Sequence, residues 1–259
     1  YTVTYKATDA AGNVATLIRR VDVIDTTPPV ITLNGLSNET IEVFTSYTDE
    51  GAIANDNYDG NVTSQIIVSG TVDVNTVGTY NINYNVSDSA GNQAIEVVRT
   101  INVVDTTPPV ITLLGDSNIT LEVFDGYSEP GFTAIDNYDG DISNNVVITG
   151  TVDTNTVGVY TINYNVIDEG GNEAETVKRT VIVQDTTPPV ITLNGLTNET
   201  IEVFTTYTDP GATAIDNYDG DISNNIIVTG AVDANTVGTY TIRYDVSDNN
   251  GNAATQLTR

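Results

Sequence analysis

Aspartate recurs in this chain in two short strings whose side chains could hold a cation or move a proton. DNYDG begins at Asp56, Asp136 and Asp216, and D-x-x-G-N begins at Asp9, Asp88, Asp168 and Asp248. Asp and Asn supply hard oxygen donors, with turn carbonyls beside them, which is the ligand chemistry of Ca²⁺. Paired carboxylates can also run glycoside hydrolysis. Composition closes most other routes. The 259 residues include no His, Cys, Met or Trp. That leaves no Cys or His metal site, no disulfide and no His-based triad. With 8 Lys+Arg against 35 Asp+Glu, a net charge of -27, the chain lacks the basic surface that nucleic-acid binding requires. No run approaches the roughly 18 apolar residues of a membrane-spanning helix, so no membrane insertion by this segment is expected.

The elements that must position these acids repeat. The string DTTPPVITL begins at Asp25, Asp105 and Asp185, 80 residues apart. DNYDG keeps that step, as does NTVG at Asn75, Asn155 and Asn235. The chain therefore reads as a tandem array. It holds the C-terminal part of one repeat (1–24), two full repeats (25–104 and 105–184) and a fourth segment (185–259) lacking its last strand. Such an array is expected to belong to a longer chain whose neighbouring repeats continue in both directions.

Within a repeat the period is two. In GTYNINYNVSD, Tyr80, Ile82, Tyr84 and Val86 share one face, and Asn81, Asn83 and Asn85 share the other. That is a half-buried strand. Clusters of Gly, Asn, Asp and Pro separate such runs, and no amphipathic helix is visible. About seven short strands per 80 residues predict an all-β fold, each repeat an Ig-like β-sandwich. We expect strand A at 30–33, B at 39–44, C at 65–69, F at 79–87 and G at 93–104, with short D and E strands between Gly70 and Asn75. VDVNTVG and its copies predict an Asx-stabilised turn into strand F. Arg99, with its copies Arg19, Arg179 and Arg259, has the parity of the core residues around it. Either a bulge turns it outward or it is buried against a carboxylate; the outward position is the expectation.

In this fold the start of strand A, the B–C region and the F–G turn lie at one pole. The inter-repeat Asp25, Asp105 and Asp185 would sit there. The B–C region adds Asp49, Asp56, Asp59 and Asn61 in the first full repeat. The second adds Glu129, Asp136, Asp139 and Asp141, and the third Asp209, Asp216, Asp219 and Asp221. The F–G turn adds Asp88 and Asn92, Asp168 and Asn172, or Asp248 and Asn252. Carboxylates packed together must take up protons or a counter-ion, and no Lys or Arg recurs in these loops. Ca²⁺, which accepts six to eight oxygens in flexible geometry, is the expected partner. The same strings are also good turns, with Asp and Asn capping their own backbone and Gly taking positive φ. Repetition of the acids on turns, without a Trp platform, points away from a glycosidase. The Pro-Pro of each link holds the chain extended, so the repeats are expected to stack end to end as a rod.

DTTPPVITL, the stretch from Asp209 to Asp221, G-T-Y-x-I-x-Y-x-V-S-D and D-x-x-G-N together resemble the bacterial Ig-like repeat family of large surface proteins and adhesins. They are also similar to Ig-like modules of pesticidal crystal proteins and to the hyaline-repeat module. The resemblance implies an exported, multi-repeat protein at the bacterial cell surface, no catalytic activity, and a stalk or spacer role. It names no adhesion target. The alternative is a repeat that itself recognises a glycan, ice or a host protein.

Overall fold

Alternation in the sequence becomes alternation in depth. Along Gly78–Asn85 the side chains of Ile82 and Tyr84 are buried while Asn81 and Thr79 face out, and Val86 continues the inward row. The computed structural model describes residues 1–259, and the chain forms two compact units, Tyr1–Thr107 and Pro108–Arg259.

The first unit opens with a hairpin, β1 (Thr2–Thr8) against β2 (Val14–Arg20), in which every residue is exposed. Seven strands follow: β3 (Val30–Leu33), β4 (Asn38–Glu42), β5 (Ala52–Asp56), β6 (Gly60–Asn61), β7 (Ile67–Ser69), β8 (Gly78–Asn85) and β9 (Val97–Val104). They form two sheets, ordered β3-β5-β6 and β4-β9-β8-β7. Ile31, Ala54, Val62, Ile82, Tyr84 and Ile101 are buried as the core of this sandwich.

The second unit repeats the plan. Its first repeat holds β10 (Val110–Leu113), β11 (Asn118–Glu122), β12 (Phe132–Asp136), β13 (Gly140–Asp141), β14 (Val147–Thr149), β15 (Gly158–Asn165) and β16 (Val177–Gln184). The sheets are β10-β12-β13 and β11-β16-β15-β14. Ile111, Ala134, Ile142, Ile162, Tyr164, Val166 and Val181 form one buried cluster. The next repeat holds β17 (Val190–Leu193), β18 (Ala212–Asp216), β19 (Gly220–Asp221), β20 (Ile227–Thr229), β21 (Arg243–Asp245) and β22 (Leu257–Thr258). The chain is thus an all-β series of tandem Ig-like repeats.

Three expectations are corrected. The stretch 39–44 is not strand B: β4 pairs in parallel with β9, from Asn38 opposite Thr100 to Glu42 opposite Val104. It continues the first strand, which breaks at Gly35 (φ 72°) and crosses to the other sheet. The antiparallel partner of β3 is β5, whose polar end, Asn55 and Asp56, looks like a turn in the sequence. Nor do strands D and E form. In their place Asp73 accepts the Asn75 N–H at 3.0 Å and the Thr76 hydroxyl at 2.8 Å, the Asx turn predicted there. The recurring arginine is not turned outward either: Arg99 and Arg179 are fully buried.

In the segment 185–259 no strand forms over 198–202, the counterpart of β11. β11 pairs in parallel with Thr180–Gln184 of β16. Val181 and Val183, fully buried in the preceding repeat, are each worth roughly 1.5–3 kcal/mol of burial.

Candidate metal centre

Each acid reaches the pole by a different element. Asp25 precedes the TTPP link, Asp56 ends β5, and Asp88 opens the turn between β8 and β9. Carboxylate oxygens of these three lie within 4.8 Å of one another. In the second unit Asp185, Asp216 and Asp248 do the same, and Asp136 and Asp168 repeat the arrangement of Asp56 and Asp88. Asp105 lies at the end of the first unit, accepting the Thr107 N–H at 3.2 Å.

The DNYDG aspartate is the most constrained. Asp216 is 3% exposed. Its Oδ1 accepts the N–H groups of Tyr218 and Asp219, both at 2.8 Å. Its Oδ2 is buried with no hydrogen-bond partner, and the same holds for Oδ2 of Asp56 and Asp136. A buried acceptor left unsatisfied is costly. Oδ2 of Asp25 is likewise buried and unpaired. Burial pushes the Asp185 carboxyl above its ordinary value, the Asn250 hydrogen bond opposes this, and the Asp216 and Asp248 charges add to the rise. Asp88 moves the other way: burial works against ionisation, but hydrogen bonds from Asn92 hold it below its ordinary value. A divalent ion with Ca–O distances of about 2.4 Å spaces its oxygens by up to about 4.8 Å, and the oxygens of each cluster fall within that limit.

The remaining candidates have other work. Asn92 donates its N–H and Nδ2 to Asp88 at 2.7 Å each and Nδ2 to the Asp25 carbonyl at 3.3 Å. Asn252 does the same for Asp248 and Asp185, and Asn172 holds Asp168 at 2.7 and 2.9 Å. These amides fix the turn that presents the acid. Asp59, Asp139 and Asp219 each accept a backbone N–H from that turn, of Ser89, Glu169 and Asn249. Asp141 and Asp221 cap Ser143 and Ser223, and Asn61 caps Thr63. Asp49, Glu129 and Asp209 are not at the pole cluster. They pair with the buried arginines, Asp49 with Arg99 at 3.3 Å, Glu129 with Arg179 at 3.2 Å and Asp209 with Arg259 at 2.5 Å.

Two contacts at the links escape the sequence reading. Glu42 accepts from the N–H and hydroxyl of Thr106 and the hydroxyl of Thr107. Glu122 accepts the same groups of Thr186 and Thr187. Tyr218 meets the repeat before it, its hydroxyl accepting the Val157 N–H at 3.3 Å. The signal available was the 80-residue recurrence of E-V-F at Glu42, Glu122 and Glu202, which composition alone gives no reason to link to TTPP.

Residues 31–103, 111–183 and 191–259 each match the family described as "Bacterial surface protein, Ig-like domain". Hyalin of Strongylocentrotus purpuratus is 31% identical over 277 residues, covering 99% of this chain and 22% of the hyalin. Hyalin of Lytechinus variegatus is 35% identical, covering 98% of this chain and 50% of its own length. An uncharacterized 81.3 kDa protein of Acholeplasma phage L2 is 32% identical over 77% of this chain and 28% of its length. The chain thus spans half or less of these relatives. No helix is long and apolar enough to cross a membrane.

Proposed function

The chain belongs to the bacterial surface protein Ig-like domain family, and from that premise we propose that it is a non-enzymatic stalk or spacer segment of a large extracellular surface protein, stiffened by Ca²⁺ at the start of each repeat. The single observation that carries the calcium reading is the buried, unpaired Oδ2 of Asp216 beside two further carboxylates, with its equivalents in the other repeats. The likeness to hyalins agrees with a surface or adhesion module.

A spacer needs a soluble face rather than a ligand patch. On the outer face of the first four-stranded sheet the polar groups satisfy each other. Thr79 donates to Asn102 at 3.0 Å, Asn102 to Asn38 at 2.9 Å and Thr100 to Asn81 at 3.1 Å. This favours the spacer over a repeat that binds a glycan, ice or a host protein. Calorimetric titration with Ca²⁺, with thermal unfolding in Ca²⁺ and in chelator, tests the reading. Heat of binding and a lower melting temperature in chelator are expected. No heat and an unchanged melting temperature would sink it.

A further inference from the structure

Tyr218 lies two residues beyond Asp216, and the two side chains point to different partners. The Tyr218 ring packs against Phe124 of the preceding repeat, centroids 6.1 Å apart and planes tilted by 51°. Its hydroxyl accepts the Val157 N–H at 3.3 Å. Tyr218 is half-buried, whereas Tyr58, which meets no such socket within its own unit, is 78% exposed. Phe124 is an unusual socket residue. Its backbone is left-handed, φ 71°, which a bulky side chain rarely adopts, and its N–H is tied to the Thr154 carbonyl at 2.7 Å. Phe124 is 53% exposed rather than folded into the core of its own repeat.

The socket and the acid cluster share their supports. Oδ1 of Asp216 fixes the Tyr218 N–H at 2.8 Å, while Oδ2 of the same carboxylate is the unpaired oxygen. Asp185 belongs to the cluster and is followed by Thr186 and Thr187, which Glu122 holds. Glu122 is two residues from Phe124. Cluster, covalent link and tyrosine therefore all bear on one end of the preceding repeat.

We propose that Tyr218 is a latch between the two repeats of the second unit, and that latch and cation site are coupled through Asp216. The coupling rests on the calcium reading above. A cation drawing on Oδ2 immobilises the carboxylate that sets the Tyr218 backbone, and so narrows the orientations in which the ring meets Phe124. By reciprocity, a seated latch raises the affinity of the cluster for Ca²⁺ by the same factor.

The test uses the full chain, which has no cysteine of its own. Spin labels on Thr149→Cys and Thr229→Cys report the spread of distances between the two repeats. Asp56→Asn and Asp136→Asn leave Asp185, Asp216 and Asp248 as the cluster read by calorimetry. In this parent Ca²⁺ should narrow the distance distribution. Tyr218→Ala should leave it broad at saturating Ca²⁺ and weaken Ca²⁺ binding about 5-fold or more. Tyr218→Phe, which keeps the ring and loses the acceptor, should fall between. Equal affinity and equal widths in parent and Tyr218→Ala overturn the coupling and leave the calcium site standing. A parent that binds no Ca²⁺ overturns both.

Discussion

Arg179 lies 3.2 Å from the Glu129 carboxylate with its guanidinium wholly buried. The ion pair does not stand alone. Arg179 also donates to the carbonyls of Asp116, Leu114 and Gly131, at 2.6, 2.8 and 3.0 Å. These carbonyls border the two places where the first strand of the repeat crosses between sheets and returns. A planar donor fork with a permanent charge suits that task, since it can bind several backbone acceptors at once. The glutamate supplies the counter-charge that makes burial tolerable.

Arg179→Met should therefore cost about 3–5 kcal/mol, the usual result of stranding one partner of a buried pair. Urea unfolding of the full chain is the measurement. Adding Glu129→Gln should recover part of the loss, because the stranded charge goes with it. A cost near that of an ordinary surface change would show that the guanidinium is dispensable.

This arginine marks the limit of what periodicity reveals. Tyr160, Ile162 and Tyr164 announce their strand and its inward face by alternation alone, and the tandem repeats follow from DTTPPVITL. Arg179 has the same inward parity, yet its charge argues for an outward bulge, since its backbone acceptors are set by a crossover 65 residues earlier. The acid cluster divides likewise. Asp25, Asp56 and Asp88 were legible because topology brings their loops to one pole. That Asp49 and Glu129 face the arginine instead, at the far end of β5 and β12, depends on knowing those strands. Their polar ends hide them.

Glu129 should also make the second unit acid-sensitive. Burial pushes its carboxyl up, but hydrogen bonds from Tyr127, Tyr164 and the Gly131 N–H, with the Arg179 charge, hold it below the ordinary value of 4.5. A carboxyl whose folded value is depressed contributes stability above its unfolded value. That contribution is lost as pH falls through the folded one. The urea midpoint should drop below about pH 4.5, and Glu129→Gln should flatten that dependence.

Gly150 allows a third check. It lies at φ 100°, and a Cβ there would sit 2.2 Å from the Thr161 carbonyl oxygen, a backbone atom of the neighbouring strand. Gly150→Ala should destabilise by about 1–3 kcal/mol or more through combined strain and clash. Gly140→Ala, with φ 73° and open space around the Cβ, should cost less. Equal costs in denaturant titrations would mean that the edge strand β14 yields to the clash.

Asp209 and Asp216 should separate under Ca²⁺. Asp209 accepts the Tyr244 hydroxyl at 2.6 Å and pairs with Arg259. Its burden is structural, and the Tyr244 hydroxyl, buried and beside this carboxylate, is pushed up to about 12. Asp216 spends one oxygen on backbone N–H groups and keeps the other unpaired. Asparagine at 216 can still accept those N–H groups through its amide oxygen, but brings a neutral NH₂ where the second oxygen stood. Asp216→Asn should thus be neutral or stabilising without Ca²⁺, since it removes a like charge, and should lose calcium-dependent stabilisation. At a Ca²⁺ concentration 100 times the dissociation constant that stabilisation is about 2.7 kcal/mol per site. Asp209→Asn should destabilise with or without Ca²⁺ and keep the calcium increment. Thermal melts of both variants in Ca²⁺ and in chelator give the four values needed. If both lose the same increment, the carboxylates do not divide between a structural pair and a cation centre.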